Sequence, residues 1–259
     1  MYNRPVKPVR LVTIPFSHYC EKARWALDRA RVDYVEEPHP PILSWLATLG
    51  ARGTRTAPVL VTADGVLSES TDILRFADRY GSAPSPLFPT GNRDVEALED
   101  RLDERLGPAA RRFAYYYVLD DRELTRALLA RGVGRWESRF ASRGAPLIAG
   151  LIRRGLKIDR AGFERSLTVI ERELSHVEAL LADGRRYLTG DAFTAADLTF
   201  AALAVPLILP QAYLRYTGDL SSLPPALWDR VATYRTRPAG RFALHIYDEE
   251  RSAPLRNVA

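Results

Sequence analysis

Residues 56–73, TAPVLVTADGVLSESTDI, decide the fold because they hold two short strands, a turn and the start of a helix in direct succession. Pro58–Thr62 and Val66–Ser68 are rich in β-branched and apolar residues, and Ala63-Asp64-Gly65 between them is typical of a hairpin turn. Ser70–Tyr80 then has apolar residues at helical spacing. The stretch therefore predicts a β-hairpin followed directly by an amphipathic helix.

The residues upstream of this stretch complete a small α/β unit. Strands are predicted over Val9–Ile14 and Asp33–Glu37, and helices over Tyr19–Arg31 and Pro41–Leu49. The resulting order, β-α-β-α-β-β-α, predicts one mixed sheet with helices packed against it.

A predicted linker over 82–90, which holds three prolines, separates this unit from the rest of the chain. Beyond it the sequence predicts helices, which lie over Asn92–Arg131 (bent at Gly107-Pro108), Gly162–Asp183, Phe193–Leu209 and Pro225–Arg235. Residues 132–162 fit no predicted element. We therefore expect an α/β domain over 1–81 and an all-helical domain over 91–259.

The composition is that of a globular protein, since 46% of the 259 residues are hydrophobic and 27% are charged. The net charge of +5 is dispersed along the chain, which does not favour binding to nucleic acid. Cys20 is the only cysteine, so an intramolecular disulfide is excluded and a reducing compartment is favoured. Because no secretory signal is recognisable near the N-terminus, we expect a cytoplasmic protein.

Two stretches bear on membrane association. Ala192–Leu214 is long and apolar, but Asp197 and two prolines interrupt it, which favours a buried core helix over a membrane span. Leu147–Leu156 is amphipathic and carries Arg153 and Arg154, so it could touch a membrane surface. A lid or a packing segment is the preferred interpretation, and no membrane association is expected.

Ser17 is the first candidate for chemistry, because it stands where the first strand turns into the first helix. Serine is a good N-cap residue, and Cys20 follows about one turn inside the helix. The free N–H groups and the positive dipole end of such a helix suit an anion. Taken alone, the pattern is better explained by a capping serine and a packed cysteine than by a reactive site.

Ala57-Pro58 is the second candidate, because a proline that opens a strand belongs at a sheet edge or in a special turn. A cis bond there would leave the backbone of Ala57 free to pair with an extended peptide. The sequence does not reveal the isomer, and trans is the more common one for a bond before proline.

Glu69-Ser70 is the third candidate, because it stands at the start of the third predicted helix. We expect Ser70 to cap this helix, and its hydroxyl and the first N–H groups could hold a carboxylate. Glu69 could hold an amine. Together the pair would bind both charged groups of an amino acid, although simple helix capping also explains the residues.

In this order the three candidates resemble the glutathione S-transferase superfamily, which has an α/β thioredoxin-like N-terminal domain followed by an all-α C-terminal domain. The family places a catalytic Ser, Tyr or Cys where Ser17 stands. Its cis-proline motif resembles Ala57-Pro58-Val59-Leu60. In the second domain, Asp191–Asp197 resembles the family's capping segment, in which Thr194 and Asp197 have the spacing of a capping box.

The resemblance implies that glutathione is a co-substrate and that a small hydrophobic electrophile is the second substrate. Ser17 would donate a hydrogen bond to the glutathione thiolate as the catalytic residue. Residues implied to bind the rest of the peptide are Ala57, Pro58, Glu69 and Ser70. Residues that could assist Ser17 are Tyr19, Cys20 and His18, the last expected to be solvated beside the turn.

Two alternatives remain open at the level of the sequence. One is a glutathione-dependent thiol reductase that uses Cys20, although a dithiol mechanism is excluded because the preceding candidate position holds Ser17. The other is a non-catalytic protein of the same fold that binds glutathione or a partner, which the unassigned residues 132–162 leave possible.

The second substrate is expected in a pocket between the two domains. Its candidate lining residues on the long predicted helix are Arg111, Arg112, Tyr115, Tyr116 and Tyr117. The same helix, Asn92–Arg131, and the resemblance together predict a homodimer. No metal site is predicted, because the four histidines lie far apart in the sequence.

Overall fold

The computed structural model of the chain describes residues 9–218 and 223–251. The first part holds β1 (Val9–Thr13), α1 (His18–Arg29), β2 (Tyr34–Pro38), α2 (Leu43–Gly50), β3 (Val59–Val61), β4 (Val66–Leu67) and α3 (Ser70–Tyr80). The strands form one sheet in the order β2-β1-β3-β4, with β1 and β2 parallel and the other neighbours antiparallel. This confirms the predicted α/β unit with a mixed sheet.

The core of this unit forms because its strands and helices each bury one apolar face. Leu11 on β1 lies opposite Leu60 on β3, and both side chains are fully buried. Leu27 on α1 and Ile73 and Leu74 on α3 belong to the same buried cluster. The sheet and these helices thereby fix the two loops that carry Ser17 and Ala57.

The second part is helical, as predicted. Its elements are α4 (Arg93–Arg101), a π-helical turn (Leu102–Leu106), α5 (Gly107–Val118), α6 (Arg122–Ala130), α7 (Arg135–Leu156), α8 (Arg160–Leu181), α9 (Ala195–Leu203), α10 (Val205–Ile208), a 3-10 turn (Gln211–Tyr213), α11 (Leu214–Thr217), α12 (Pro225–Thr236) and α13 (Pro238–Glu250). The outer ends of the two predicted domains, 1–8 and 252–259, lie outside the described residues.

The single long helix predicted over Asn92–Arg131 is wrong, because the chain breaks between α5 and α6. Asp121 stands at the N-cap of α6, and its Oδ1 accepts hydrogen bonds from the N–H groups of Glu123 and Leu124 at 3.0 and 2.9 Å. A capping aspartate of this kind begins a new helix with a change of direction. The helices α4 and α5, in contrast, are joined by the π-helical turn without a break.

Gly107-Pro108, where the sequence analysis expected a bend, stands at the start of α5 directly after the π-helical turn. In the π-helical register, the N–H of residue 108 would bond to the carbonyl of Asp103, and proline has no N–H. The hydroxyl of Tyr19 supplies the missing donor, at 2.8 Å from Asp103 O. A Cβ at residue 107 would lie 2.1 Å from Tyr19 Oη. Gly107 is therefore a site of close approach between α1 and α5.

Residues 132–162, unassigned from the sequence, consist mainly of α7. Its buried face includes Ala141, Ala145 and Ile148, which form a second hydrophobic cluster with Leu129 of α6. Near its start, Glu137 Oε1 lies within hydrogen-bond distance of His39 Nδ1, at 2.7 Å, and this contact joins α7 to the first domain. The stretch predicted as a lid or packing segment is the second half of this helix.

The helix predicted over Phe193–Leu209 is interrupted near Ala204, because Pro206 lacks the N–H that would continue it. At its start, Thr194 and Asp197 form a capping box, in which the N–H of Thr194 donates to Asp197 Oδ2 at 2.9 Å. Asp197 also accepts from the N–H of Leu188 at 2.7 Å. Burial raises the pKa of Asp197 to about 6.

The two domains are joined through α1. This helix packs against α9, and the indole N–H of Trp25 donates to the carbonyl of Glu250 at the end of α13. Arg251 pairs with Glu21 at 2.8 Å and with Asp28 at 3.0 Å, and all three side chains are at least nine-tenths buried. The last described residues of the chain thus hold the helix that carries the catalytic candidates.

Candidate functional site

Ser17 occupies the N-cap of α1, with an extended backbone conformation (φ −82°, ψ 124°). Its Oγ accepts a hydrogen bond from the N–H of Cys20 at 3.4 Å, and its own N–H donates to Ile14 O at 3.0 Å. In the part of the chain that the structure describes, the Ser17 hydroxyl donates to no acceptor. Its hydrogen is therefore available to a ligand in the cavity that Ser17 lines.

His18 is only 4% exposed, so the expectation of a solvated histidine is wrong. Its Nε2 lies 3.0 Å from Gly107 O, and because a carbonyl oxygen only accepts, Nε2 carries the hydrogen and Nδ1 is the acceptor. Burial in first place, and then the charge of Arg111, lowers the pKa of His18 to about 3. The imidazole is therefore neutral and a weak base at neutral pH.

Tyr19 and Cys20 do not line the cavity. The Tyr19 hydroxyl is engaged with Asp103 O, and burial raises its pKa. Cys20 is fully buried, its Sγ accepts a hydrogen bond from the N–H of Ile14 at 3.4 Å, and burial raises the pKa of the thiol. Both side chains fix the first turn of α1, Tyr19 through Asp103 and Cys20 through Ile14.

The peptide bond between Ala57 and Pro58 is cis. Ala57 lines the same cavity as Ser17, whereas Pro58 is buried behind it. The backbone N–H and C=O of Ala57 have no hydrogen-bond partner in residues 9–218 or 223–251. An extended peptide that entered the cavity could pair with them.

Ser70 is not the N-cap that the sequence analysis expected. The helix α3 begins at Ser70, and Glu69 occupies the N-cap position without a capping hydrogen bond from its side chain. The hydroxyl of Ser70 is buried and donates to Asp103 Oδ1 at 3.3 Å instead. Burial in first place, and then the charges of Asp103 and Asp72, raises the pKa of Glu69.

A buried network of hydrogen bonds and ion pairs centred on Lys22 lies on the side of α1 next to Ser70. Lys22 donates to Glu99 and to Asp103, and its ammonium also lies 3.3 Å from the Thr71 hydroxyl. The side chains of Lys22 and Glu99 are fully buried. The network therefore positions Asp103 beside Glu69 and Ser70.

The structure brings Ser17, His18 and Ala57 together at one cavity but places Glu69 and Ser70 outside its lining. Tyr19 lies between the two groups, since the charges of both Arg111 and Glu69 act on its pKa. The first turn of α1 thus has a cavity side and an acidic side.

The cavity has a volume of about 430 Å³ and lies between the two domains. Its wall includes apolar residues from α6, α7, α10 and α12, among them Leu124, Leu128, Ile152, Leu156, Val205 and Leu227. Arg55 and Arg111 also line it, and among the described residues no Asp or Glu does.

Of the five lining residues predicted on α5, the cavity includes Arg111 and Tyr115. The other three are wrong, because helical periodicity turns them towards α8. Arg112 donates to Leu156 O and Ser166 Oγ, and the rings of Tyr116 and Tyr117 pack on Phe163 at 4.1 and 5.4 Å.

Asp103 and the wall formed by α7 were missed by the sequence analysis. The acidic pair Glu99 and Asp103, four residues apart on a helix, gives a weak signal of a shared partner. Nothing in the sequence assigns that partner to Lys22. The only signal of the α7 wall was the amphipathic stretch Leu147–Leu156, because the buried face upstream of it consists largely of the small residues Ala141 and Ala145.

Neither a metal centre nor a membrane span is evident in the residues that the structure describes. No group of three or more His, Cys, Asp or Glu side chains there could hold a metal ion. None of the helices in the described ranges is sufficiently long and apolar to cross a bilayer.

Two family models match the chain. Residues 11–84 match the glutathione S-transferase N-terminal domain, and residues 160–237 match the glutathione S-transferase C-terminal domain. The chain belongs to the glutathione S-transferase superfamily. Residues 85–159, between the two matches, hold the helices α4 to α7 of this chain. No curated protein sequence matches the chain.

Solved structures share this fold at low sequence identity. A glutathione transferase from Phanerochaete chrysosporium has a TM-score of 0.61 at 20% identity, with 98% of this chain and 100% of that one covered. The beta-etherase LigF from Sphingobium has a TM-score of 0.57 at 15% identity, with coverage of 92% and 99%. A glutathione S-transferase from Methylobacillus flagellatus, solved with glutathione bound, has a TM-score of 0.50 at 19% identity, with coverage of 91% and 98%.

Proposed function

We propose that the chain is a glutathione transferase that stabilises the glutathione thiolate for attack on a small apolar electrophile. The observation that carries the proposal is the Ser17 hydroxyl, whose oxygen accepts from Cys20 N–H while its hydrogen remains available at the cavity. Serine does not ionise at neutral pH, so Ser17 would donate a hydrogen bond to the thiolate and would not act as a base.

The magnitudes are sufficient for this role. A free thiol has a pKa of about 8.5, and lowering it by ~2 units requires roughly 2.7 kcal/mol of preferential stabilisation of the thiolate. One hydrogen bond to a charged partner contributes about 1.5–3 kcal/mol. The N-terminus of α1 adds a smaller contribution of the same sign.

The rest of glutathione would bind across the first turn of α1. The free backbone groups of Ala57 would pair with its cysteinyl residue, next to Pro58. The first N–H groups of α3, at Ser70, would hold the γ-glutamyl carboxylate. Glu69 and Asp103 would hold the γ-glutamyl ammonium, because both carboxylates lie at that helix start. The enzyme from Methylobacillus flagellatus, which has a similar fold, was solved with glutathione bound, and this supports the proposal.

A thiol reductase that uses Cys20 is the weaker candidate. A nucleophilic cysteine needs exposure and a lowered pKa. Cys20 is fully buried and the pKa of its thiol is raised. We therefore assign Cys20 a packing role, and we assign Ser17 the role of hydrogen-bond donor to the glutathione thiolate.

Binding and turnover test the proposal separately. We expect calorimetric titration with glutathione to give saturable binding, and an aryl chloride electrophile to be conjugated faster than in buffer. Glu69→Ala should weaken glutathione binding, whereas the matched control Glu96→Ala, on the exposed surface of α4, should not. Absence of binding would overturn the proposal. Binding without turnover over a broad electrophile panel would favour the non-catalytic alternative.

The proposal includes a homodimer in the cytoplasm. Sedimentation should give about twice the chain mass of 29.1 kDa, and a concentration-independent mass of one chain would contradict the dimer. Cell fractionation with an antibody against the chain tests the location, and recovery from a secreted fraction would contradict it.

A further inference from the structure

Arg111 is a cationic side chain at the cavity that has no anionic partner among the described residues. In residues 9–218 and 223–251 its guanidinium makes no hydrogen bond and no ion pair, and it lies 5.9 Å from the centre of the Tyr19 ring. The side chain is half-buried. Cations that lose part of their hydration are normally paired, so an unpaired guanidinium at a cavity indicates a missing anion.

The charge of the cavity supports the same conclusion. Its lining holds Arg55 and Arg111, and no acidic side chain of the described residues faces them. His18, beside Arg111, is neutral and adds no competing charge. The cavity therefore has a positive potential at its Ser17 end and an apolar wall elsewhere.

The α5 helix determines where the positively charged end of the cavity meets its apolar wall. Arg111, Ala114, Tyr115 and Val118 recur at helical spacing and line the cavity along one face of that helix. Arg111 is at the end nearest His18 and Ser17, and the residues beyond it are apolar or aromatic. A ligand that satisfies both ends has an anionic group near the reacting sulfur and a hydrocarbon or aromatic body.

We propose that the second substrate is an aromatic or aliphatic carboxylate whose anionic group pairs with Arg111 while its apolar body fills the chamber walled by α6, α7 and α12. This inference rests on the proposed transferase function. Glutathione itself does not need Arg111, because Arg55 adjoins the Ala57 segment where its backbone would pair, and α3 would hold its γ-glutamyl end.

A matched pair of electrophiles tests the inference: 4-chloro-3-nitrobenzoate, which is an anion, and 4-chloro-3-nitrobenzamide, which is neutral. In both, the thiolate attacks the ring carbon that bears chlorine, a C–S bond forms, the C–Cl bond breaks and chloride leaves with the electron pair. Each kcat/KM is divided by the uncatalysed rate constant to remove the difference in intrinsic reactivity.

We expect the enzyme to prefer the benzoate by about tenfold or more, the size expected for one charge-assisted hydrogen bond. Arg111→Gln should remove this preference by lowering kcat/KM for the benzoate alone, and Arg111→Lys should restore part of it. Arg126→Gln, on the exposed surface of α6, is the matched control and should change neither substrate. Thermal unfolding of each variant verifies that the fold is intact.

Equal activity of the unmodified enzyme on both electrophiles would overturn the inference. So would an equal loss on both in Arg111→Gln, because Arg111 would then act on the thiolate or on glutathione. Calorimetric titration with the benzoate in the absence of glutathione separates this inference from the proposed function. Loss of that binding in Arg111→Gln without any turnover would leave the anion site standing and refute the transferase.

Discussion

The two parts of the proposed site come from different parts of the chain. Ser17, Ala57 and Glu69 lie in residues 11–84, which match the family's N-terminal model. Arg111 and the cavity wall formed by α6 and α7 lie in residues 85–159, which neither family model covers. The proposed glutathione side therefore lies in the matched N-terminal segment, whereas part of the proposed substrate side lies in residues that neither family model covers.

The difference teaches that the same first turn of α1 depends on both parts. Its acidic side is supported by Glu99 and Asp103, and its cavity side by Gly107 and Arg111, all from residues 85–159. A change in the unmatched segment should therefore disturb the glutathione side as well. Substitutions in both segments test that dependence.

The largest effect should come from Lys22→Met, which leaves the buried Glu99 without its cation. Removing one partner of a buried ion pair costs about 3–5 kcal/mol of unfolding free energy. Urea unfolding should show this loss. As a matched control, Arg75→Met breaks the pair with Glu96, whose side chains are 48% and 49% exposed, and should cost about 1 kcal/mol or less. Equal losses in both variants would mean that α1 does not depend on the unmatched segment.

The next effect is a dependence of stability on pH that belongs to His18. Because its pKa falls to about 3 in the folded chain, the unfolded chain binds a proton below its ordinary pKa of about 6.5 that the folded chain does not. The free energy of unfolding should therefore fall by about 1.4 kcal/mol for each pH unit below that value. His18→Gln keeps a donor for Gly107 O and should remove this slope.

Urea unfolding between pH 6.5 and 4.5 measures the effect in both proteins. Asp197 acts in the opposite direction, because its pKa is raised to about 6, so acidification stabilises the folded state through this group. It is present in both proteins and cancels in the difference. Identical slopes would show that His18 is not buried as a neutral side chain.

A smaller effect, on rate, should come from Ser17→Ala, which changes only the matched part. Loss of the donor should raise the pKa of the bound thiol and lower turnover at neutral pH by about ten- to a hundredfold. Turnover should recover at high pH, where the thiol ionises without help. The long 3.4 Å cap to Cys20 indicates a stability loss at the low end, about 0.5 kcal/mol.

The measurement is a pH–rate profile of both proteins, with glutathione affinity determined alongside. Affinity should change little, because in the proposed binding mode Glu69 and the start of α3 at Ser70 would still hold the far end of the peptide. A stability loss with an unchanged profile would restrict Ser17 to a capping role.

The smallest effect lies entirely in the unmatched part. Gly150 stands in the middle of α7, and a Cβ there meets nothing within 4 Å. Gly150→Ala should stabilise the protein by about 0.5–1 kcal/mol through helix propensity. Gly134→Ala, at the N-cap of α7, should give no gain, since alanine is a poor N-cap. Thermal and urea unfolding compare the two, and a destabilised Gly150→Ala would argue against the helix.

The sequence predicted the first domain and the capping segment at Thr194 well because their signals are local. The hairpin, the helix over Ser70–Tyr80 and the capping segment at Thr194 each follow from a few adjacent residues. The sequence did not predict the full α7 helix, because the apolar residues of that helix lie on two of its faces. Trp136 and Leu147 are exposed while the small Ala141 and Ala145 are buried, which obscures the periodicity.

The charged contacts of the site could not be predicted, because they join residues far apart in the chain. Asp103 meets Ser70 and Lys22 only after the π-helical turn that follows α4 has come beside α1 and α3. The burial of His18 likewise depends on α5, whose Gly107 permits the close approach. Such pairs have no signature in the spacing of a single sequence.

The pairing of Arg251 with Glu21 and Asp28 bears on how far the two domains can be treated as modules. Separation of the chain within residues 85–90 would fall between the two family matches, yet it would remove the Glu250 carbonyl from Trp25 and Arg251 from Glu21 and Asp28. The limits of the two family matches therefore do not mark units that fold independently of each other. Exchange of the first domain between relatives must carry along the end of α13, or a matched replacement for it.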